Sequence, residues 1–251
     1  MENATNQDVV LAIDIGATSI KSCLVDFFGE LVGTPKRRLT PYPCGPDHLV
    51  QVISARINLT DVALVGVGFP GEFRDGHVVH PGNLSRLKGA GTPIDEEIHA
   101  RWCGFDFQGS LREKTNKDVR VVNDASMAAL GCIEGTGTEL VLALGTGVGL
   151  ALVKDGKLVP VRDLGAEVLS NELSFDELLG EQGRARNESD WLAKVKTSVA
   201  ELSNEFSADV IHLVGGNSRR ISPSAFKHLN SRIVITGNNA PFRGAPKLFY
   251  S

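Results

Sequence analysis

The chain carries the same kind of segment twice. Asp14-Ile15-Gly16-Ala17-Thr18 and Leu144-Gly145-Thr146-Gly147-Val148-Gly149 each follow an apolar, β-branched run and lead into another such run. A dinucleotide-binding glycine turn would open a helix, whereas here a strand follows in both places. Such a turn closes a hairpin, and its glycines let backbone N–H groups converge on an anion. One of these turns alone reads equally well as an ordinary polar hairpin. Two in equivalent settings predict an α/β chain built as two related lobes, 1–122 and 123–251, that hold a polyphosphate chain from both sides of a cleft.

The surrounding pattern supports that architecture. Val9–Ile15, Ile20–Phe27 and Leu31–Leu39 read as three consecutive strands, a meander rather than strand–helix alternation. Leu49, Val50, Ile53 and Ile57 have helical spacing within Asp47–Asn58. Val62–Phe69 reads as a buried strand closed by Pro70-Gly71, with a short extended piece at Gly76–Val79. Residues 84–101 read as a surface loop with a short helix over Asp95–Arg101, and Phe107–Lys114 as a helix. A second block starts with a strand at Val119–Val122 and a helix at Ala125–Glu134. Strands at Glu139–Leu144 and Leu150–Lys154 follow, then an Asp155-Gly156 hairpin turn into Lys157–Val161. Residues 162–186 are polar and partly helical, Trp191–Phe206 is an amphipathic helix, and Val210–Val214 is a strand. The stretch holding Gly237 and Gly244 yields no assignment.

Several residues have chemistry to offer. In the first turn Gly16, Thr18 and Lys21 offer backbone donors, a hydroxyl and a charge to phosphate. Asp14 at the strand end can hold a Mg²⁺-bound water, since Mg²⁺ takes carboxylates, water and phosphate oxygens. Gly145, Thr146 and Gly147 repeat the phosphate-binding composition. Asp124, at a strand-to-helix junction, reads either as a helix N-cap or as the general base of a phosphoryl transfer, with Asn123 beside it. Gly68–Gly71 and Pro81-Gly82-Asn83 are either plain turns or a polyol site. Gly215-Gly216-Asn217 is either a turn or a place where a flat base lies on the backbone. Lys36-Arg37-Arg38 and Arg219-Arg220 are surface charges or a polyphosphate track. His77 and His80 read as exposed loop residues rather than metal ligands, and Trp191 as core.

Composition narrows the partners. A net charge of −4 argues against nucleic acid. Of the four cysteines none forms a Cys-x-x-Cys pair, which leaves buried reduced thiols and neither a zinc ribbon nor a redox motif. The opening MENATNQD lacks the basic start and apolar stretch of a signal peptide, and no apolar run approaches the roughly 20 residues of a membrane span. A cytoplasmic protein is expected.

These motifs, in this order, resemble the ROK family of actin-like (ribonuclease H-like) sugar kinases. The resemblance rests on Asp14–Lys21, Gly68–Gly71 with Asn83, Trp102-Cys103-Gly104-Phe105-Asp106, Asn123-Asp124-Ala125, Gly145–Gly149 and Gly215-Gly216. It is strongest to the polyphosphate/ATP-glucokinase branch. It implies a two-lobed fold with a cleft, ATP or polyphosphate as phosphoryl donor, Mg²⁺, no structural zinc, a hexose acceptor and a homodimer. Asp124 would be the base, and Gly71, Asn83, Asn123, Asp163 and Glu167 would face the sugar. Asp14, Gly16, Thr18, Lys21, Gly145, Thr146 and Gly147 would serve the phosphates, and Gly215 and Gly216 the adenosine. The family's Glu-x-Gly-His reads Asp163-Leu164-Gly165-Ala166 here, so Asp163 replaces the Glu and Ala166 stands where the His belongs. That departure keeps open a degenerate sugar-binding sensor, or a kinase for another hexose or an amino sugar. Only about eight residues precede the first strand, too few for the helix-turn-helix domain of ROK repressors.

Overall fold

A computed structural model describes residues 9–250. The expectations about the opening residues therefore fall outside the described residues. The chain divides into two compact units, 1–127 with 241–251, and 128–240.

The first unit begins with the predicted meander, β1 (Val9–Ile15), β2 (Ser19–Asp26) and β3 (Leu31–Leu39), followed by α1 (Pro46–Asn58). Then come β4 (Leu64–Phe69), the hairpin β5 (Glu72–Arg74) and β6 (His77–His80), α2 (Glu96–Trp102), α3 (Phe107–Thr115) and β7 (Asp118–Asn123). The helix α4 (Asp124–Leu130) leads into the second unit. The main sheet has the order β3-β2-β1-β4-β7, antiparallel through the meander and parallel across β1, β4 and β7. All seven residues of β1 are buried, as expected for a strand covered on both faces. β3 is the opposite case: a nearly fully exposed edge, where Lys36, Arg37 and Arg38 guard against stray strand pairing.

The helices form where caps and apolar stripes coincide. α1 has Pro46 at its start and buries Leu49, Val50, Ile53 and Ile57 on one face. Arg56 in its last turn donates Nε–H to Ser22 Oγ on β2 at 2.8 Å. α2 and α3 begin at Asp95 and Asp106, whose carboxylates accept the Ile98 and Gly109 N–H. Substituting either Asp by Ala should cost about 1 kcal/mol, read in a denaturant titration. Trp102 is fully buried, its indole N–H on Cys44 O at 2.7 Å and its ring edge-on to Phe69 and Phe107. Cys44 is sealed in the same core, and burial pushes its thiol up to about 12, so it is chemically inert.

The second unit repeats the plan. β8 (Thr138–Leu144), β9 (Val148–Lys154) and β10 (Lys157–Val159) form a meander. The small ribbon β11 (Val168–Ser170) and β12 (Leu173–Ser174) comes next, then α5 (Phe175–Leu179), α6 (Glu181–Arg186), α7 (Glu188–Phe206), β13 (Val210–Val214) and β14 (Arg232–Gly237). The sheet order is β10-β9-β8-β13-β14, with β8, β13 and β14 parallel. Strand for strand this is the first sheet again, so the predicted duplication is real. The Asp155-Gly156 turn has the left-handed φ values, 46° and 77°, that a two-residue hairpin requires. Trp191 is core, as expected, with its indole N–H on Leu179 O at 2.7 Å. β8 and β13 also share a buried hydrogen bond between Glu139 Oε2 and His212 Nε2 at 2.8 Å.

Several boundaries moved, for identifiable reasons. α4 stops at Leu130 rather than Glu134: the Gly131 and Cys132 N–H groups close onto Ala128 O and Ala129 O, and those of Glu134 and Gly135 go to the Glu139 carboxylate. α7 starts at Glu188, three residues before Trp191, because the Asn187 side chain caps it through the Asp190 N–H. His77 and His80 lie on β6 rather than in a loop. The unassigned end of the chain holds β14, then α8 (Ala240–Gly244), and a 3₁₀ turn over Ala245–Leu248 that packs on β1 and β4 of the first unit. Gly66 of β4 lacks a side chain where Ala245 presses in, since a Cβ there would lie 2.8 Å from the Ala245 methyl.

Candidate functional site

In an open α/β sheet the loops after parallel strands gather at one edge, and ligands bind there. In the first unit β1, β4 and β7 end together, which places Asp14, the Gly68–Gly71 turn, and Asn123-Asp124 along that edge. Asp14 pairs in register with Gly68, and Gly68 with Val122. Gly68 is required here: a Cβ would lie 3.2 Å from Asp124 Cα and 2.8 Å from the Met127 methyl. The Asp124 backbone therefore rests directly on β4.

Asn123 secures this junction. Its Oδ1 accepts the Ser126 N–H at 3.1 Å, the N-cap contact that the sequence left open for Asp124. Its Nδ2 donates to Gly71 O at 2.9 Å. Asp124 is the first residue of α4, and its Oδ1 accepts the adjacent Ala125 N–H at 2.7 Å. The helix thus has another cap, and the half-buried Asp124 carboxylate stands at the strand ends.

The segments proposed for a polyol also meet. Gly71 and Gly82 approach so closely that a Cβ on Gly71 would lie 3.0 Å from Gly82 N, and Gly82 has a φ of 56°. Asn83 follows, its Oδ1 accepting Arg86 Nε–H at 2.9 Å. Tyr42 links this segment to the first turn, donating its hydroxyl to Ala17 O at 2.8 Å and Asn83 O at 3.3 Å. Burial pushes the Tyr42 phenol well above its ordinary value, so it remains a donor. Tyr42 and Arg86 escaped the sequence reading because an isolated Tyr and Arg carry no local signal.

In the first turn the Gly16 N–H donates to Ser19 O at 3.1 Å, and Thr40 Oγ1 donates to Gly16 O at 2.6 Å. Thr18 is exposed at the tip. Asp14 is nearly buried, with Lys21 Nζ 3.2 Å from its Oδ2. Among the described residues no group of three or more His, Cys, Asp or Glu gathers to hold a metal. One carboxylate still fits Mg²⁺, which keeps several waters and takes its remaining ligands from phosphate.

In the second unit the ends of β8 and β13 bring Gly145–Gly149 and Gly215-Gly216 to the corresponding edge. A Cβ on Gly145 would meet nothing within 4 Å, so no protein packing demands that glycine. Asn217 Nδ2 donates to Gly145 O at 3.1 Å, and the Glu181 N–H to Thr146 O at 3.2 Å. Gly215, at a φ of 89°, lies flat on the Leu144 backbone. Asp163 is exposed, and its Oδ1 accepts the Gly165 N–H at 3.2 Å. Ala166 is exposed. The Glu167 carboxylate is ion-paired with Arg162 at 2.8 Å, and Arg162 also binds Glu205.

Residues 10–162 match the ROK family. The chain belongs to that family. Its two five-stranded mixed sheets are those of the actin-like ROK structures. This ROK chain is 29% identical over 227 residues to a polyphosphate glucokinase of Mycobacterium leprae, covering 83% of its own length and 63% of that relative. It thus spans less than two thirds of that protein. It resembles the structure of an inorganic polyphosphate/ATP-glucomannokinase from Arthrobacter sp. strain KM, with a TM-score of 0.76, 27% identity, and coverage of 96% and 98% of the two chains. A Streptomyces griseus ROK glucokinase, solved with glucose and AMPPNP, gives a TM-score of 0.72 at 17% identity over 96% and 98% of the two chains, a likeness of fold. In the ROK chain no described helix is long and apolar enough to cross a membrane.

Proposed function

We propose that this ROK protein is a sugar kinase that transfers a phosphoryl group from ATP or polyphosphate to a hexose hydroxyl, with Asp124 as general base. The observation that carries the reading is the strand-end edge of the first unit. There the half-buried Asp124 carboxylate, which accepts the Ala125 N–H, stands beside a turn pair built from Gly71, Gly82 and Asn83. The activities of the relatives support the same assignment.

The acceptor sugar lies against Gly71 and Asn83, whose amide is oriented by Arg86. Asn123 holds Gly71 with one N–H, and an amide has a second to give to a hydroxyl. Asp163 and Glu167, the latter ion-paired with Arg162, are the second unit's candidates for sugar contact. Asp124 takes the proton from the attacking oxygen as the new P–O bond forms, and the leaving oxygen departs with its bonding electrons on ADP or the shortened polyphosphate. On the first unit Gly16, Thr18 and Lys21 are the candidates for donor phosphate; on the second, Gly145, Thr146 and Gly147 are, with Gly215 and Gly216 for adenosine. Asp14 would hold Mg²⁺ through water, and the ion would supply positive charge to the transferring phosphoryl group.

Lys21→Met should raise the donor KM about 10- to 100-fold, the worth of one charge-assisted contact, and leave the sugar KM unchanged. Steady-state kinetics with each substrate varied would check this. The function itself is tested by ADP release over a hexose panel with Mg²⁺·ATP, beside sugar-phosphate formation from polyphosphate. Turnover with any hexose supports the kinase. A folded protein silent with both donors overturns it. One observation favours a second reading, a sugar binder without turnover: Ala166 offers no side chain to the sugar, and Glu167 is engaged by Arg162. Calorimetric sugar binding in a silent protein would establish that reading.

A further inference from the structure

Asp176 lies outside every motif, yet the second glycine turn is built around it. It is in the first turn of α5, behind a Ser174–Glu177 capping box that fixes where the helix starts. Its Oδ1 accepts the Val148 N–H at 2.6 Å, inside the Gly145–Gly149 turn. Its own N–H donates to Gly165 O at 3.0 Å, and its carbonyl accepts the Gly180 N–H at 3.0 Å. Three glycines are glycine because of this residue. A Cβ on Gly147 would lie 2.5 Å from the Asp176 carboxylate and one on Gly165 2.6 Å from it, while one on Gly180 would strike the Asp176 and Thr146 carbonyls. The turn is therefore clamped at three points: Gly145 by Asn217, Thr146 by Glu181 and Val148 by Asp176. Only the last is a side-chain carboxylate on a turn N–H. The same residue, through Gly165, ties the turn to the Asp163–Glu167 stretch.

We propose that Asp176 is a positioning residue that fixes the second phosphate turn in its donor-binding shape and registers it against residues 163–167. It touches no substrate. It presets the backbone of the turn, whose Gly145 N–H already closes onto Gly147 O at 3.0 Å, so the donor meets a turn already ordered. The donor-side consequence rests on the kinase reading; the clamp itself does not.

The test compares Asp176→Ala with Asp176→Asn, which keeps an oxygen acceptor for the Val148 N–H. In Asp176→Ala the Val148 amide should exchange with solvent about 10- to 100-fold faster, with the β8 amides unchanged. The donor kcat/KM should fall by a similar factor while the sugar KM stays put, and Asp176→Asn should recover most of both losses. Unchanged Val148 exchange in Asp176→Ala overturns the proposal. So does a parallel loss in both KM values and in Tm that Asn fails to rescue, which marks a merely structural role. If the wild type transfers no phosphoryl group, the kinase reading fails, and the exchange rates with tripolyphosphate affinity in the two variants still decide for or against the clamp.

Discussion

Replacing Asp124 with Asn should lower phosphoryl transfer by about 10²- to 10⁴-fold, the usual contribution of a positioned general base. The fold should survive. Asn keeps an oxygen to accept the Ala125 N–H, and the cap of α4 comes from Asn123, not from Asp124. Melting temperature and sugar affinity should therefore match the wild type while turnover collapses. Single-turnover measurements at saturating donor and sugar would read the chemical step directly. Retention of wild-type turnover in Asp124→Asn would remove Asp124 as base, and with it the proposed mechanism.

Replacing Glu139 with Ala should destabilise the chain by about 3–5 kcal/mol in a denaturant titration, the cost of leaving several buried or part-buried groups without their acceptor. Glu139 is fully buried and serves three partners: the Glu134 N–H, the Gly135 N–H and His212 Nε2. Truncation would strand all three. His212 can ill absorb the loss, because its Nδ1 is already buried without a hydrogen-bond partner among the described residues. Burial alone would push the Glu139 carboxyl up, but the donated bonds outweigh it and hold the group below its ordinary 4.5. The sign follows from that direction. Glu139 binds its proton less readily folded than unfolded, so its stabilisation is complete above pH 4.5 and is lost as pH falls through the depressed folded value. Acid unfolding of Glu139→Gln should show a shallower dependence in that window.

What could be read from the sequence is what local chemistry dictates. The meander, the two glycine turns and the Asp155-Gly156 hairpin follow from β-branched runs broken by residues that tolerate left-handed φ. The edge-defining motifs, Asp14–Lys21, Gly68–Gly71 and Asn123-Asp124, were visible because each terminates such a run. What escaped depends on distant partners. Nothing near Leu130 announces that the Glu139 carboxylate will take the N–H groups of Glu134 and Gly135. Asp176 looks like any acid in a first helical turn until Gly147, Gly165 and Gly180 are found folded around it. Asn123 and Asp124 compete for one cap, and only the structure gives it to Asn123.

The way residues 241–250 rejoin the first unit has a consequence for how the protein is made. Ala245 fills the space left by Gly66, and Leu248 O takes a hydrogen bond from Arg120. The second unit is one continuous stretch of chain, so every residue it needs has been synthesised by position 240. The first unit, begun earlier, lacks part of its packing until position 250 emerges from the ribosome. The half translated first is thus the half completed last: its five strands are all made by position 123, but the sheet stays partly uncovered while the other half folds.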